Sequence, residues 1–326
     1  MTVPSIRRIA LPLLLGLAVP FAHAADPESI LARMYQAART LDYEGVFVYR
    51  HDEHLDSLRI LHKTGHGGAR ERLVSLNGEP REIIRTEREV RCYLPDENAV
   101  LVEHRRADRR DFPGLLPESA SVFGKNYLLH PGKSGRVAGR KTQSLLIKPQ
   151  DAYRYGYRLW VDEATGLLLK ANLVDAAGRI VEQYMFTQIA IGKPISEADL
   201  QPQYPAKDRI MQGVEENPSL PVAGQWEAAG LPAGFALSAH IMRTLPQHQQ
   251  PVEHLVFSDG LAVVSVFIET AEEPTKSSVL HGHTQMGAVH AYGMVVDGYQ
   301  ITVVGEVPAA TVALIGDSVT RHKEKK

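Results

Sequence analysis

The sequence predicts an α+β protein in two parts. The first is a half-barrel, a large curved antiparallel sheet with one helix on its concave side; the second is a smaller antiparallel sheet with its own helix. Three observations predict this. Short apolar runs recur as far as Ile191 with Gly, Asn, Asp and Pro between them, the pattern of a meander and not of alternating strand–helix units. One stretch of helical periodicity precedes them. A proline-bearing stretch near residue 200 then separates them from a second set of strand-like runs that flank Asp-Gly pairs. At 326 residues the chain is longer than one core usually organises. Its apolar share of 44% is enough to build cores, which excludes wholesale disorder.

Residues 1–24 stand outside this plan. Arg7-Arg8, the apolar run Ile9–Phe21 and the small–x–small motif Ala22-His23-Ala24 form a secretory signal peptide, expected to be cleaved after Ala24. The run is too short and wrongly flanked for a membrane span, and no later stretch approaches one. The mature chain is therefore expected in the periplasm. Cleavage removes two arginines and no acid from a chain of 36 basic and 38 acidic residues. The resulting mild acidity gives no support for nucleic-acid binding. Cys92 is the one cysteine, so stability cannot come from an internal disulfide. It alternates with polar residues in Val90–Leu94, which fits a buried, inert thiol.

The mature protein opens with Asp26-Pro27-Glu28-Ser29, a helix start with a capping carboxylate, a proline suited to the first turn and an acid that complements the dipole. Ile30, Leu31, Met34, Tyr35, Ala38 and Leu41 then recur at helical spacing, one stripe to be buried. Strands are expected at Glu44–Arg50, Leu58–His62, Arg70–Leu76, Arg81–Arg85, Val90–Leu94 and Ala99–His104. From Tyr153 to Gly192, three further runs (Tyr157–Val161, Leu167–Val174 and Ile180–Ile191) are joined by short turns ending in Gly166 and Gly178. Such turns force antiparallel neighbours. Apolar residues on both alternate faces mark this stretch as the wall of a curved sheet.

Between the two strand groups lies His104–Pro117, in which Arg105, Arg106, Arg109 and Arg110 give way to Phe112, Leu115 and Leu116 among two prolines and a glycine. Backbone of this kind is a loop. It can cap the sheet's interior or form a lip for a ligand, with the arginines as rim or as an anion site. From Lys193 to Gly224 the prolines at 194, 202, 205, 218 and 221 argue against sheet and long helix. The domains are accordingly set at 25–194 and 223–326, joined by a linker over 195–222. In the second domain Asp259-Gly260 and Asp297-Gly298 sit between strand-like runs, the signal of type I′ hairpins. Phe235, Leu237, Ala239 and Ile241 form another alternating strand. Pro308 opens a helix whose Val312, Ile315 and Val319 are expected on one face.

No catalytic residue and no metal ligand set emerges. His281, His283 and His290 lack the further ligands of a zinc signature, and His51 and His54 read as a polar hairpin loop. A nucleophile elbow, phosphate loop, dinucleotide fingerprint and H-E-x-x-H are all missing. No cofactor is expected, and the balance shifts from enzyme toward binding.

Several segments resemble the RseB/MucB family of periplasmic regulators of envelope-stress sigma factors. They are Tyr43–Tyr49 (YEGVFVY), Arg81–Ile84 (REII), Asp111–Leu116 (DFPGLL), Tyr157–Asp162 (YRLWVD) with Gly166–Leu168, and Val303–Pro308 (VVGEVP). They appear in the family's order and span nearly the whole mature chain. The resemblance implies a larger domain similar to the lipoprotein carriers LolA and LolB. It also implies a regulator that binds the periplasmic segment of a single-span anti-sigma factor and shields it from a first protease, and a possible homodimer. Lipid or lipopolysaccharide fragments in the half-barrel would favour release. On this basis Val46, Val48, Leu58, Ile60, Leu94, Val102, Phe112, Leu115 and Leu116 are assigned to the lipid's apolar part. Arg105, Arg106, Arg109 and Arg110 are assigned to its phosphates. Partner contact is assigned to Arg243, His254, Met286 and Tyr292, with strand addition at an open sheet edge as the expected mode. The rival readings are a lipid or lipoprotein carrier with an accessory small domain, and an exported hydrolase with an unrecognised site.

Overall fold

In the computed structural model the described residues are 26–65, 68–104, 120–204, 209–212, 224–243, 251–271 and 280–322. The chain begins with α1 (Pro27–Thr40), where the Asp26 carboxylate accepts from the Ser29 amide at 3.3 Å and Glu28 occupies the first turn. Its buried stripe is Ile30, Leu31, Met34 and Ala37. Full burial of a side chain such as Ile or Leu contributes about 1.5–3 kcal/mol, so this face fixes the helix to whatever covers it.

That cover is a curved sheet. Its strands are β1 (Tyr43–His51), β2 (His54–Lys63), β3 (Arg70–Ser75), β4 (Glu82–Arg85), β5 (Glu89–Leu94), β6 (Ala99–His104) and β7 (Tyr127–Pro131). They continue as β8 (Gly135–Val137), β9 (Arg140–Pro149), β10 (Gly156–Asp162), β11 (Leu168–Val174), β12 (Ile180–Ile191) and β13 (Arg209–Gln212). The spatial order is β13-β6-β5-β4-β3-β2-β1-β12-β11-β10-β9-β7, with β8 also on β9. The two end strands, β13 and β7, do not pair, so the sheet stays open. β1 is the seam: it pairs with β2 on one side and β12 on the other, both antiparallel, with a register shift at Val46/Phe47 against β12. Gly45 permits the close approach there, because a β-carbon would lie 2.5 Å from the Gln188 carbonyl oxygen. The three-strand stretch from Tyr157 to Ile191 forms β10, β11 and β12 as expected, paired in sequence.

The stretch read as a linker is in part a wall. Ile195 and Leu200 pack on Leu61, and Tyr204 joins Ile84, Tyr93, Val100 and Val102. Glu197 pairs with Lys63 and Arg70, and Arg72 donates to the Asp199 carbonyl at 3.0 Å. Beyond it β13 adds to β6 in parallel, where no strand was expected. Proline spacing hid this because Ile195, Leu200 and Tyr204 follow no helical or strand period; the sheet's outer face, not a repeat of their own, orders them.

The small domain contains β14 (Trp226–Ala228), β15 (Ala236–Arg243), β16 (Val252–Ser258), β17 (Val263–Thr270), β18 (Gly282–Met286), β19 (Val289–Val296), β20 (Tyr299–Gly305), α2 (Ala309–Asp317) and β21 (Val319–Arg321). Six of the strands form an antiparallel sheet ordered β15-β16-β17-β20-β19-β18, and β14 pairs with β21. Val312 and Ile315 of α2 are buried with Leu255, Val266, Ile301 and Val303. Val319 is buried too, but from β21 and not from the helix. Asp297 and Gly298 both have positive φ, 50° and 80°, as a type I′ turn requires. The Asp259-Gly260 connection differs. Only Gly260 is left-handed, at 92°, because Asp259 is used for another purpose.

Candidate ligand cavity and domain junction

The concave face of the large sheet follows from its register. Phe47, Leu58, Ile60 and Leu73 lie in one buried cluster with the α1 stripe and with Leu159, Leu169 and Phe186 from the other half. Directly opposed residues share a face, so Leu73↔Ile83, Ile83↔Cys92 and Cys92↔Leu101 carry that face outward across β4–β6. Ile83, Cys92, Leu94 and Leu101 are only half-buried. Burial also pushes the Cys92 thiol above its ordinary range. The concave side thus has two zones: a core already filled around α1, and an apolar strip over β4–β6 that the described residues leave partly open.

The residues expected to line a cavity divide among these zones and the outside. Ile60 is fully buried and Leu58 nearly so, both already packed by the chain itself. Leu94 lies on the open strip. Val46 and Val48 oppose Arg59 and Ser57, which puts them on the outer face, and Val102 packs outside with Tyr204. Strands apolar on both sides give no parity signal, so sequence alone could not separate inner from outer residues. Arg105, Arg106, Arg109, Arg110, Phe112, Leu115 and Leu116 lie outside the described residues.

Where the two domains meet, the contacts are polar and specific. Arg154 and Asp259, each with a fully buried side chain, pair at 2.7 Å. Arg154 also donates to the Ala233 carbonyl at 2.6 Å and to Asp151 at 3.1 Å. Its guanidinium is sandwiched by the Tyr127 and Phe235 rings, at 5.4 and 5.1 Å. Tyr127 donates to the same oxygen of that carboxylate at 2.9 Å, and burial, then the nearby Asp259 charge, pushes its phenol upward. Elsewhere the Thr311 hydroxyl donates to the Tyr153 carbonyl at 2.6 Å. Two carboxylates of the large domain hold the β18–β19 turn: Asp52 accepts from the Gly287 amide at 2.7 Å and Glu182 from the Ala288 amide at 3.0 Å. Glu306 keeps solvent contact but is crowded on its other sides, and burial together with the Glu182 charge pushes its carboxyl up to about 7. None of these residues was read from the sequence as a junction contact: Asp259 was read as half of a hairpin turn and Phe235 as a strand residue, and a lone Arg154 in a turn between strands carries no periodic signal.

The residues expected to meet a partner are also dispersed. Met286, on the edge strand β18, is 72% exposed. Tyr292 stacks on His283 and donates to Asp317 at 3.0 Å. His254 is 0% exposed and stacks on Phe267 at 4.3 Å. It is a buried ring on the face of the small sheet opposite the α2 core, because it alternates with Leu255 and Phe257, which face that core. Arg243 ends β15, the other edge of the small sheet. Among the described residues no cluster of three or more His, Cys, Asp or Glu side chains is disposed to hold a metal. No helix there is long and apolar enough to cross a membrane.

Comparison with known proteins places both halves. The family model for the MucB/RseB N-terminal domain matches residues 26–204, and that for the MucB/RseB C-terminal domain matches residues 221–320. The chain belongs to the MucB/RseB family. It is 33% identical to the sigma factor AlgU regulatory protein MucB of Pseudomonas aeruginosa, over 96% of this chain and 97% of that one. It is 26% identical to the sigma-E factor regulatory protein RseB of Escherichia coli, over 91% and 92% respectively. Among solved structures, the complex of MucB with the periplasmic part of MucA matches with a TM-score of 0.69 at 28% identity, covering 91% of this chain and all of that one. A second MucA/MucB complex from Pseudomonas aeruginosa gives 0.70 at 31% identity, covering 92% and 100%. MucB alone gives 0.60 at 29% identity, covering 90% and 97%.

Proposed function

We propose that this protein is a periplasmic regulator that binds the periplasmic segment of a single-span anti-sigma factor and thereby keeps an extracytoplasmic sigma factor restrained. The observation that carries this reading is the family membership of both domains, with full-length likeness to MucB held by MucA. The likeness holds both to MucB in complex with MucA and to MucB alone. Binding would shield the segment from its first protease. The chain would act as a binding protein and not as an enzyme. Lipid or lipopolysaccharide acyl chains would favour release by occupying the concave side of the large domain, a role that the half-open strip of Ile83, Cys92, Leu94 and Leu101 supports. Among the described residues β15 and β18 are the two edge strands of the small sheet, the places for strand addition.

Titration calorimetry of the mature chain against periplasmic segments of single-span anti-sigma factors tests the proposal. Saturable binding in the micromolar range or tighter is expected, together with slower cleavage of the bound segment by its first protease. A lipid carrier would ignore such segments, so silence toward all of them from a protein that binds lipid would replace this reading with the carrier one.

A further inference from the structure

The loop between β16 and β17 is divided between two cores. Ala262 packs into the small domain's own cluster. Its neighbour Leu261 packs instead against the half-barrel cluster, which contains α1, Phe123 and Tyr127. The Asp259 carboxylate builds and anchors this arrangement. One oxygen accepts from the Leu261 and Ala262 amides at 2.9 and 2.7 Å and so shapes the loop. The other accepts from the Tyr127 hydroxyl and the Arg154 guanidinium, both in the large domain. Tyr127 in turn sits edge-on to Phe123 at 5.8 Å, inside the core that Leu261 touches.

We propose that residues 259–262 are a plug: Leu261 fills apolar space at the β7 end of the half-barrel, and Asp259 latches it there through Tyr127 and Arg154. An aliphatic chain that runs from the half-open strip over β4–β6 through the core to that end, the opposite end of the strand order, must displace the loop and release the domains from one another. The inference rests on the lipid-binding part of the proposed function. Its physical basis is competition between equals. A leucine side chain and a few methylenes gain the same stabilisation per carbon, so a longer chain that reaches deeper wins the space. Because Leu261 and Asp259 share one four-residue loop, it cannot win without pulling on the latch. The coupling is reciprocal: whatever frees the plug must tighten binding of the chain.

The test uses the mature full-length protein and dansyl-labelled undecanoic acid as the probe, read by fluorescence. Leu261→Ser withdraws the plug and is expected to tighten probe binding about tenfold. Tyr127→Phe removes one latch hydrogen bond but keeps the ring; it should tighten binding about threefold and decides the matter if Leu261→Ser does not fold. Equal affinity in the wild type and both variants overturns the plug and leaves lipid binding standing. No probe binding by any of the three overturns the plug together with the lipid half of the proposed function. Calorimetry with the anti-sigma segment then shows separately whether the regulatory half survives.

Discussion

Glu82→Ala is the sharpest test of how the segment after β12 is held. Glu82 is fully buried on the outer face of β4, and its two oxygens serve three donors. One accepts from Arg72, itself nearly buried. The other accepts from the Gln203 and Tyr204 amides at 2.9 and 3.2 Å. Alanine leaves a buried guanidinium without its counter-charge and two amides without an acceptor. Removing one partner of a buried pair costs about 3–5 kcal/mol. In a domain of this size each kcal/mol lowers the midpoint by about 2–4 °C, so a fall of about 10 °C is expected in scanning fluorimetry of the mature chain. The double variant Glu82→Ala with Arg72→Met should recover more than half of the loss, because no unpaired charge remains. If Glu82→Ala melts within about 2 °C of the wild type, residues 199–204 are not anchored through this carboxylate and the account of the outer face is wrong.

Further predictions concern single positions. The Glu306 carboxyl is raised by burial and by Glu182 to about 7 in the folded chain, so its protonated form is the stabilising one. Stability should therefore decline as pH rises from about 4.5 to 7. Since the group retains solvent contact, the screened effect is about 1 kcal/mol, measured by urea unfolding, and Glu306→Gln should flatten that slope. Gly166 has φ of +82°, and a β-carbon there would sit 2.9 Å from the Arg33 carbonyl oxygen of α1; Gly166→Ala should destabilise by about 2 kcal/mol or more in the same assay. Cys92, half-buried with its thiol pushed upward by burial, should react with a thiol probe near neutral pH well below the rate of an exposed cysteine.

Much of the fold was legible because it is written in local signals. The Asp26 cap, the stripe from Ile30 to Leu41 and the turns at Gly166, Gly178 and Asp297-Gly298 each need only a few neighbouring residues to be recognised. The illegible parts depend on partners distant in sequence. Asp259 looked like half of a hairpin turn, yet its conformation answers to Arg154, 105 residues away. His254 looked like a surface ring because its strand's facing is set by β15 and β17. Val46, Val48 and Val102 could not be told from Leu58 and Ile60, since the covering segment on the outside is irregular and gives no period to match.

The junction is of a kind that a modest ligand, bound as proposed above, could reset. Among the described residues, beyond a small apolar patch of Tyr155, Leu173 and Ala288 and the inserted Leu261, the two domains are joined mainly by directed polar contacts, among them the buried Arg154–Asp259 pair with the Tyr127 hydroxyl on the same carboxylate, a hydroxyl to a carbonyl and two carboxylates on main-chain amides. A buried ion pair gains little over a well-packed apolar contact, but it tolerates only one geometry. Such a junction selects an orientation without strong adhesion, as interfaces within a chain commonly do. Inverting a 99:1 preference requires a differential affinity worth about 5.5 kcal/mol. Seven or so buried methylenes supply that at about 0.8 kcal/mol each. An acyl chain is therefore long enough to reset the domains, provided that it binds in the space Leu261 occupies and gains nothing comparable while the latch is closed.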